Sequence, residues 1–471
     1  MVHSSQFTLD QFAPIAVYHK LKSHFKDEIS FLFESAGNSE GNYSFIIIGA
    51  QERLSFKDNI TRYTNASSQN RVLDEHPFAF LKSYYAKIDQ AAYRAKTNEL
   101  GIGYIDGFIG YVGYDMVKVF EPVLQSTMDS LKDELNTPDL DLIRPKLIVV
   151  YSHKTHKLSL VTSMQSMAEN FEKIEKDLKS TYEYIPLKIA SAQTQGSYAF
   201  DKEKFFEMVA QSKEMIKSGD VFQILMSNRY TELAQVDPFS FYRVLRTKNP
   251  SPYMFLLEFE EFSIVGSSPE VMVRLQDREL LLRPIAGTRK RGLTLAKDIE
   301  MEEELLSDPK ERAEHLMLID LGRNDVSRVA KTGSVKVHDM MHVERYSHVM
   351  HMVTDVIAEL DEGKDMFDLF AATFTAGTMT GAPKIRAMQL IAQYEGLKRG
   401  FYSGAIGYFG FDGNMDSAIT IRTALLKKDR IIFQAGAGVV ADSVPELEYL
   451  EVKNKLGALL SSLDDLKRTI V

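Results

Sequence analysis

Hydrophobic and polar residues alternate along this chain in two rhythms, one typical of strands and one of helices. Period-two alternation around a polar turn at 145–162 predicts a β-hairpin. Apolar residues recur at helical spacing at 203–218, about 298–321 and 365–373, and each of these segments predicts an amphipathic helix. A further helix is predicted after Pro383, ending at Gly396, because proline favours the first helical turn and glycine follows the last.

The strand-like segments follow one another without helices placed regularly between them. FSIVGSSPEVMVRL and ELLLRPIAGTRKRG predict paired strands, and the glycine-punctuated run 404–440 predicts several more. This meander order lacks the βαβ rhythm of parallel sheets, so the predicted fold class is α+β with antiparallel sheets. The small, polar segment 191–200 is the best linker candidate, and it divides the chain into parts 1–190 and 200–465.

Two Glu-x-x-Glu pairs are predicted to lie on the apolar side of a helix, where charged residues are unusual. Glu311 and Glu314 lie three residues apart in KERAEHLMLIDLGRND, and Glu448 and Glu451 do so in PELEYLEVKNKLGALL. On a helix, residues at this spacing share one face. Helical geometry places both pairs along the apolar stripe of their helix, where ordinary surface glutamates do not point.

Carboxylates beside a hydrophobic core must be paired, protonated or bound to a cation, because desolvating a free charge is costly. The chain has no cysteine, and it has no tight histidine cluster. Four converging carboxylates therefore suit a hard divalent cation such as Mg2+. Two ordinary helices with solvated glutamate faces remain the alternative, and the pattern alone balances the two interpretations.

Composition narrows the class of protein. The chain has 471 residues and a net charge of −9, which predicts a large globular protein without a nucleic-acid surface. The basic run Arg289-Lys290-Arg291 predicts a solvated turn. No apolar stretch is long enough for a membrane span and the start lacks a signal-peptide core, so we expect a cytoplasmic protein without a membrane partner. The absence of cysteine excludes disulfides and a Cys nucleophile.

Several short motifs resemble known binding motifs but lack the residue spacing or the ligands that those motifs require. GTMTGAPK places Lys384 too close to its last glycine for a phosphate-binding loop. GAGVV lacks the third glycine of a dinucleotide fingerprint, but its bare backbone N–H groups can hold a carboxylate. His348 and His351 have no obvious third ligand for a metal. A lone histidine acting as acid or base, or a satisfied core histidine, is the better interpretation of His351.

The longer motifs resemble a known family. SPE, PIAGT, KERAEHLMLIDLGRND, FTAGTMTGAPKIRAM, GAIGY, IRTAL and AGAGVVADSVPELEYLEVKNK occur in this order between residues 268 and 455. Together they resemble the chorismate-utilising enzymes, most closely the anthranilate synthase component I group. The resemblance is dense from about 200 to 460. It implies a fold of two packed antiparallel β-sheets flanked by helices, with the site in a cleft between them.

The resemblance also implies which residues bind substrate and metal. Glu314 and Glu451 match the ligands of an Mg2+ ion, with Glu311 and Glu448 completing its shell. Arg422, otherwise a plain strand-surface arginine, matches a site for one chorismate carboxylate, for which its planar fork is suited. The remaining positions that match the substrate pocket are Gly287, Thr288, Thr378, Tyr402, Gly436, Ala437, Gly438 and Lys455.

Four further positions bear on the reaction. By resemblance, Glu270 matches a general acid that protonates the departing hydroxyl, and His351 matches a histidine used in a second, pyruvate-eliminating step. Gln223 stands where the water-using relatives carry a lysine base; ammonia needs no such base, so Gln223 favours ammonia. Ala286 replaces the reactive lysine of many aminodeoxychorismate synthases. A sister enzyme of that kind and a catalytically idle binding subunit remain the alternatives.

Regulation and partners are implied by resemblance as well. Residues 32–35, Leu-Phe-Glu-Ser, resemble an LLES motif with Phe33 in place of its second leucine, and NPSPYM occurs at 249–254. In the family these segments bind the feedback inhibitor L-tryptophan, which points to Ser35, Pro252, Tyr253 and Met254. A glutaminase of the usual kind needs a Cys nucleophile, so a separate glutamine amidotransferase subunit is expected to supply ammonia.

Overall fold

The architecture is mixed helix and antiparallel sheet, as the sequence pattern predicts. A computed structural model describes residues 2–26, 28–35, 43–192, 195–346 and 349–468. Within these ranges, every pairing between the named strands is antiparallel. None of the helices in these ranges combines the length and apolar character needed to cross a bilayer.

The strands share extended, largely apolar sequences. In chain order they are β1 His3–Thr8, β2 Ser30–Glu34, β3 Tyr43–Lys57, β4 Ile60–Thr64, β5 Asn70–Leu73, β6 Gly107–Val112, β7 Leu140–Ser152, β8 Lys157–Thr162, β9 Ser191–Ala192, β10 Ser197–Tyr198, β11 Gln223–Gln235, β12 Tyr253–Glu258, β13 Phe262–Ser268, β14 Val271–Gln276, β15 Glu279–Leu282, β16 Ile285–Lys290, β17 Lys336–Arg345, β18 Val349–Glu359, β19 Gly381–Ala382, β20 Ala405–Gly410, β21 Met415–Ile419, β22 Thr423–Lys427 and β23 Arg430–Val439.

The α-helices lie mostly outside the sheets. They are α1 Pro14–His24, α2 Pro77–Tyr85, α3 Gln90–Leu100, α4 Val117–Phe120, α5 Gln125–Met128, α6 Gln165–Ala168, α7 Phe171–Leu178, α8 Lys202–Lys217, α9 Pro238–Lys248, α10 Leu295–Ser307, α11 Pro309–Ser327, α12 Met366–Thr373, α13 Lys384–Glu395 and α14 Pro445–Arg468. Short 3₁₀ turns occur at Tyr114–Met116, Pro122–Leu124 and Gly377–Met379.

Two antiparallel arms share the long strand β7. One arm runs β1-β8-β7-β3-β2-β12-β13-β22-β23-β11, and the other runs β7-β6-β20-β21-β14-β15-β18, with β16 and β17 also on β18. The first residues of β7 pair with β6 and its last residues pair with β8. The pairing of β3 with β7 shifts register between Ala50 and Glu52, which is a bulge that lets the sheet bend. The two predicted sheets are therefore joined by one bent strand pair.

Alternation along the strands builds two hydrophobic clusters. In the first arm, Phe31, Leu257 and Ile264 join a cluster that also contains Val273 and Ile406 of the second arm. Their sequence neighbours on the opposite face join a second cluster beneath α1, α8, α9 and α14. Each fully buried side chain of this size stabilises the fold by roughly 1.5–3 kcal/mol. The sheets thus pack on each other, and helices cover the outer face of the first arm.

Most predicted elements are confirmed, and one boundary is wrong. The hairpin at 145–162 is formed by β7 and β8, and α8, α12 and α13 lie where helices are predicted. The single helix expected at about 298–321 is two helices, α10 and α11, which meet at Asp308 and Pro309. Proline cannot continue a helix from the preceding turn, and the Asp308 carboxylate caps α11 by accepting from the amides of Lys310 and Glu311.

The two sequence parts interleave in space. Strand β2 from the first part pairs with β12 from the second, and β6 pairs with β20. Within the predicted linker, β9 and β10 both pair with β11. Both hydrophobic clusters contain residues from before and after the linker. The division at 191–200 stays a prediction about sequence organisation.

Candidate functional site

Helices α11 and α14 bring the four predicted metal-binding glutamates toward one another. Burial raises the pKa of Glu314, and the charges of Glu311 and Glu451 raise it further. Burial also raises the pKa of Glu448, with Glu451 again adding to it. The apolar stripe is real on α14, where Val452 is fully buried beside these groups. The solvated-face alternative is therefore wrong for Glu448, which is 8% exposed.

Three carboxylates of this group meet a donor: two on neighbouring elements and one, for Glu451, on its own helix. The Gln223 amide donates to Glu314 over 3.0 Å, and the Arg289 guanidinium donates to Glu311 over 3.0 Å. The Lys455 ammonium lies 2.6 Å from a Glu451 oxygen. Among the described residues, no three acidic or histidine side chains converge closely enough to form a metal cage.

The donor set nevertheless fits a hard cation. Carboxylates and amide oxygens are the groups that Mg2+ prefers, and mutual repulsion between buried carboxylates is relieved by a cation. The side-chain oxygen of Gln223 is buried and has no hydrogen-bond partner within the described residues. The Mg2+ site at Glu311, Glu314, Glu448 and Glu451 stays a prediction.

Glu270 is held in a dry environment between β13 and β14. It is 7% exposed, and its carboxyl accepts a hydrogen bond of 2.8 Å from the Thr378 hydroxyl. Burial raises the pKa of Glu270 to about 7, although Thr378, Lys455 and Arg422 act to lower it. A carboxyl group with such a pKa is largely protonated in weakly acidic solution and about half protonated at pH 7, and it can give a proton to a leaving group.

His351, on β18, faces the neighbouring strand β16. Its Nδ1 lies 3.0 Å from the Gly287 carbonyl and 3.1 Å from the Thr288 hydroxyl. Burial lowers the pKa of His351, so the ring is neutral at pH 7. A carbonyl oxygen only accepts, so Nδ1 carries the proton and Nε2 remains a base. Residue 348, the other half of the His-x-x-His pair, lies outside the described residues.

Gly287 needs to be glycine at this point. Its φ of +64° lies in the left-handed region, and an added Cβ would stand 2.7 Å from a Leu305 methyl group. The next nearest atom is an oxygen of Glu311, at 3.1 Å. The bare backbone therefore lets strand β16 pass close to the carboxylate group.

Arg422 and the strand end at 436–438 form an anion-receptive pocket. The Arg422 guanidinium makes no hydrogen bond or ion pair with any described residue, and burial lowers its pKa. A Cβ on Gly436 would lie 3.0 Å from the Tyr402 hydroxyl, and one on Gly438 would lie 2.5 Å from the Gln223 amide nitrogen. Lys455 donates to the Gly436 carbonyl over 2.9 Å. A half-buried arginine whose guanidinium has no partner among the described residues fits a carboxylate ligand.

Ala437 lies between the two pocket glycines, in register with Met226 of β11. Its side chain is fully buried in the second hydrophobic cluster, with its methyl group on the core face of β23. Residues on alternate faces of a strand point in opposite directions, so Gly436 and Gly438 share the other face. Gly436 and Gly438 therefore lie on the pocket side of β23, and the Ala437 methyl group lies on its core side.

The predicted inhibitor motifs come together where β2 pairs with β12. Strand β2 pairs with β12 so that Glu34 lies opposite Met254, and Ser35 follows directly. The buried Glu34 carboxylate accepts from the Tyr242 hydroxyl at 2.6 Å and from Arg246 at 2.8 Å. Pro252 precedes β12, and Tyr253 donates to Asp416 over 2.9 Å. Inhibitor binding at these residues stays a prediction.

Arg289 is a site residue that sequence reasoning missed. The run 289–291 was expected to form a solvated turn, but Arg289 lies on β16 and its guanidinium contacts Glu304, Asp308 and Glu311 at 2.9–3.0 Å. Arg291 pairs with Asp298 at 2.8 Å. The expectation is wrong for Arg289 because β16 continues as far as Lys290, so Arg289 lies on a strand and not in a turn.

Comparison with known proteins agrees with this geometry. A family model described as chorismate binding enzyme matches residues 28–461. A protein named anthranilate synthase component 1 from Aquifex aeolicus is 41% identical over 98% of this chain and 94% of its own length. The protein of the same name from Neisseria meningitidis serogroup B is 40% identical, over 95% of this chain and 91% of its own length.

Solved structures show the same fold. The crystal structure of anthranilate synthase component I from Streptococcus pneumoniae has a TM-score of 0.79 at 33% identity, covering 96% of this chain and 98% of that one. The menaquinone-specific isochorismate synthase from Escherichia coli has a TM-score of 0.73 at 20% identity, covering 98% and 94%. This likeness concerns the fold alone.

The chain belongs to the family of chorismate binding enzymes. Within that family, its near-full-length relatives at about 40% identity carry the name anthranilate synthase component 1. The resemblance inferred from the motifs is therefore confirmed, as are the fold class and the assignment of the chain as an enzyme.

Proposed function

We propose that this chain converts chorismate and ammonia into anthranilate and pyruvate, the first committed step of tryptophan biosynthesis, in the cytoplasm. The names of its relatives support this reaction. The observation that carries the proposal is Glu270: a buried carboxyl group with a pKa of about 7, held by Thr378, in a pocket that also holds an unpaired arginine.

In the first step, Glu270 acts as a general acid. Ammonia forms a bond to C2 of the ring, both ring double bonds shift by one position, and the C4 hydroxyl leaves as water with the proton from Glu270. Thr378 orients the carboxyl group through its hydrogen bond of 2.8 Å. Because burial keeps Glu270 protonated near neutral pH, the proton is available when the C4–O bond breaks.

Gln223 supports ammonia as the nucleophile. Water must lose a proton to attack, whereas free ammonia is already nucleophilic. An amide cannot remove that proton, and its nitrogen is engaged with Glu314. Ala286, on β16, offers no amine for a covalent route. Both features favour anthranilate formation over the isochorismate and aminodeoxychorismate reactions.

In the second step, His351 acts as the base. The Nδ1–H group of the neutral ring donates a hydrogen bond to the Gly287 carbonyl, so Nε2 can accept the proton from C2. The C3–O bond to the enolpyruvyl arm breaks, the methylene carbon of the arm takes up a proton, and pyruvate leaves. The ring becomes aromatic.

Substrate is held at two ends. Arg422, Tyr402 and the backbone N–H groups of 436–438 bind the carboxylate of the enolpyruvyl arm, and Thr288 and Lys455 line the same pocket. Glu314 and Glu451, with Glu311 and Glu448, would hold Mg2+. Bound there, Mg2+ supplies Lewis-acid stabilisation of the charge that develops on the ring carboxylate.

Regulation and nitrogen supply complete the proposal. L-tryptophan binds at Ser35, Pro252, Tyr253 and Met254 and inhibits the reaction allosterically. Glutamine-derived ammonia comes from a separate glutamine amidotransferase subunit, because this chain has no cysteine to serve as its nucleophile. The exposed side chains of Phe222 and Leu447, adjacent in sequence to Gln223 and Glu448, are suitable contacts for such a partner.

The decisive experiment is product identification. The purified chain is incubated with chorismate, Mg2+ and an ammonium salt, and the products are identified by fluorescence and mass. We expect anthranilate and pyruvate in equal amounts, and no aromatic product from Glu270→Gln under the same conditions. Isochorismate, aminodeoxychorismate or unchanged chorismate from the wild-type chain would refute the proposal.

A further inference from the structure

Arg399 is the largest fully buried side chain among the described residues, with 1% of its surface exposed. Its guanidinium pairs with Glu395, the last residue of α13, at 2.6 and 2.9 Å. It also donates to two backbone carbonyls, those of Met379 and Leu225, each at 2.9 Å. Such a fork fixes two main-chain segments at defined distances from one charged centre.

The two segments carry groups of the proposed site. Met379 follows Thr378, which holds Glu270. Leu225 lies two residues beyond Gln223 on β11, and its amide donates to the Thr380 carbonyl at 2.8 Å. The guanidinium also lies over the Tyr402 ring, 5.7 Å from its centre, and over the Tyr114 ring at 4.9 Å. Arg399 thus contacts the supports of three separate site residues.

The carboxylate half of the pair is equally fixed. Glu395 accepts from the amide of Ser227 at 2.9 Å and from its hydroxyl at 2.8 Å. The Ser227 hydroxyl in turn accepts from Gln434 at 2.8 Å, on the strand that leads to Gly436. Because these buried polar groups are mutually satisfied, the network has one geometry and little freedom to relax.

We infer that the Arg399–Glu395 pair is a positioning device that holds the turn at Thr378, strand β11 and Tyr402 in the relative places the reaction requires. The inference rests on the proposed function. Arg399 is closed off from solvent and substrate, so it acts through Thr378 and Tyr402 and not on the reacting atoms. Shifts of about 1 Å at a catalytic group can lower a rate roughly 100-fold.

The test compares Arg399→Lys with a matched control, Arg144→Lys. Arg144 also binds a buried carboxylate through two N–H groups, Asp106 at 2.7 and 2.9 Å, and lies 4.9 Å from the Phe411 ring centre. Lysine keeps the charge but cannot reach several partners. We expect a lower Tm in both variants, with kcat roughly 10- to 100-fold lower only in Arg399→Lys.

Two further readouts separate positioning from a general loss of stability. Loosening the turn lets water reach Glu270, so the basic limb of the kcat profile should move to lower pH in Arg399→Lys and stay in place in Arg144→Lys. In a double-mutant cycle, Arg399→Lys should cost less activity in a Thr378→Val background than in the wild type, because the part that acts through Thr378 is already lost. Additive effects, or an unmoved limb, would overturn the inference.

A milder variant covers the case in which Arg399→Lys does not fold. Ser227→Ala removes one hydrogen bond to Glu395, and it should shift the basic limb of the kcat profile in the same direction with a smaller fall in kcat. No shift would overturn the inference.

If the wild-type chain makes no anthranilate, the proposed function fails independently. A crystal structure of whichever variant folds then decides, because an undisturbed Thr378–Glu270 hydrogen bond would refute the positioning role.

Discussion

The side-chain amide of Gln223 donates to the carboxylate of Glu314 over 3.0 Å, joining strand β11 to helix α11. This bond places a neutral donor against a carboxylate whose pKa is already raised by burial and by Glu311 and Glu451. The hydrogen bond favours the ionised form of Glu314 and so opposes this rise in its pKa. An ionised, partly buried carboxylate is prepared to receive a cation.

Removing these carboxylates should abolish metal-dependent turnover. Glu314→Gln and Glu451→Gln should each weaken Mg2+ binding, measured by calorimetry, and lower the rate of chorismate consumption by at least about 100-fold, since Lewis-acid stabilisation contributes several kcal/mol. Circular dichroism should show an unchanged fold. Glu446→Gln is the control, because Glu446 lies on the same helix and is exposed. Full wild-type activity in EDTA would contradict the metal requirement.

The pH dependence should follow Glu270. The rate, expressed per free ammonia, should be constant below pH 7 and fall about tenfold per unit above it, because deprotonation removes the general acid. Glu270→Gln should lower kcat by roughly 10²–10⁴. A kcat profile, corrected for the ammonium equilibrium, measures both.

The stability of the folded chain should favour glutamine over glutamate at position 270, although catalysis requires glutamate. The folded-state pKa of Glu270 lies above that of an unfolded chain, so the wild-type protein loses stability as pH rises from about 4.5 to 7. Glu270→Gln avoids burying a charge and should therefore have the higher Tm at pH 8. A lower Tm for the variant at pH 8 would contradict the raised pKa of Glu270. A flat rate profile through pH 7 would contradict its role as the general acid.

Replacing His351 should separate the two steps. His351→Ala keeps Glu270 and Thr378, so ammonia should still add and water should still leave. Without a base at Nε2, a non-aromatic aminodeoxyisochorismate should accumulate, detectable by chromatography and mass. His338→Ala serves as the control, since His338 is exposed on β17. Anthranilate production by His351→Ala at the wild-type rate would remove His351 from the mechanism.

Tryptophan should act from the β2–β12 surface. Ser35→Arg places a bulky charge beside Glu34 and Met254, and it should raise the inhibitor concentration for half inhibition more than tenfold while kcat changes less than twofold. Linkage requires that chorismate weaken tryptophan binding by the same factor that tryptophan weakens chorismate binding. Calorimetry with each ligand, alone and in the presence of the other, measures both factors. Unequal factors, or unchanged inhibition in Ser35→Arg, would place the inhibitor elsewhere.

Glutamine should serve as nitrogen source only with a partner. The isolated chain should use ammonium salts, best at raised pH where more ammonia is free, and should make no anthranilate from glutamine. With an amidotransferase subunit added, glutamine should become effective. Leu447→Asp should weaken that gain and leave the ammonium rate unchanged, because Leu447 is exposed on α14. Glutamine-dependent activity in the pure chain would refute the division of labour.

Sequence patterns predicted the elements better than their contacts. Alternation identified β7 and β8, and proline and glycine marked both ends of α13, because these signals are local. The break at Pro309 was missed because apolar spacing continues across it, although the proline itself was visible. The bend of β7 between two arms depends on contacts between residues far apart in sequence, and no local pattern encodes them.

Site residues divide in the same way. The glutamate pairs could be recognised because helical spacing puts carboxylates beside buried leucines and valines. Glu270, Gln223 and Arg422 carry no such signal, and only resemblance pointed to them. Arg289 was misassigned and Arg399 passed unnoticed, because a charged residue in a sequence gives no indication of which distant carbonyl or carboxylate it will meet.

The pairing of β2 with β12 sets a limit on protein engineering. A tryptophan-insensitive enzyme cannot be obtained by deleting the first 190 residues, because the cut would uncover the main-chain edge of β12 and the apolar faces on either side of it. Exposed edges of this kind promote aggregation. Freeing the chain from the proposed tryptophan inhibition therefore calls for single substitutions on an intact chain, with the proposed inhibitor pocket left in place but unable to bind.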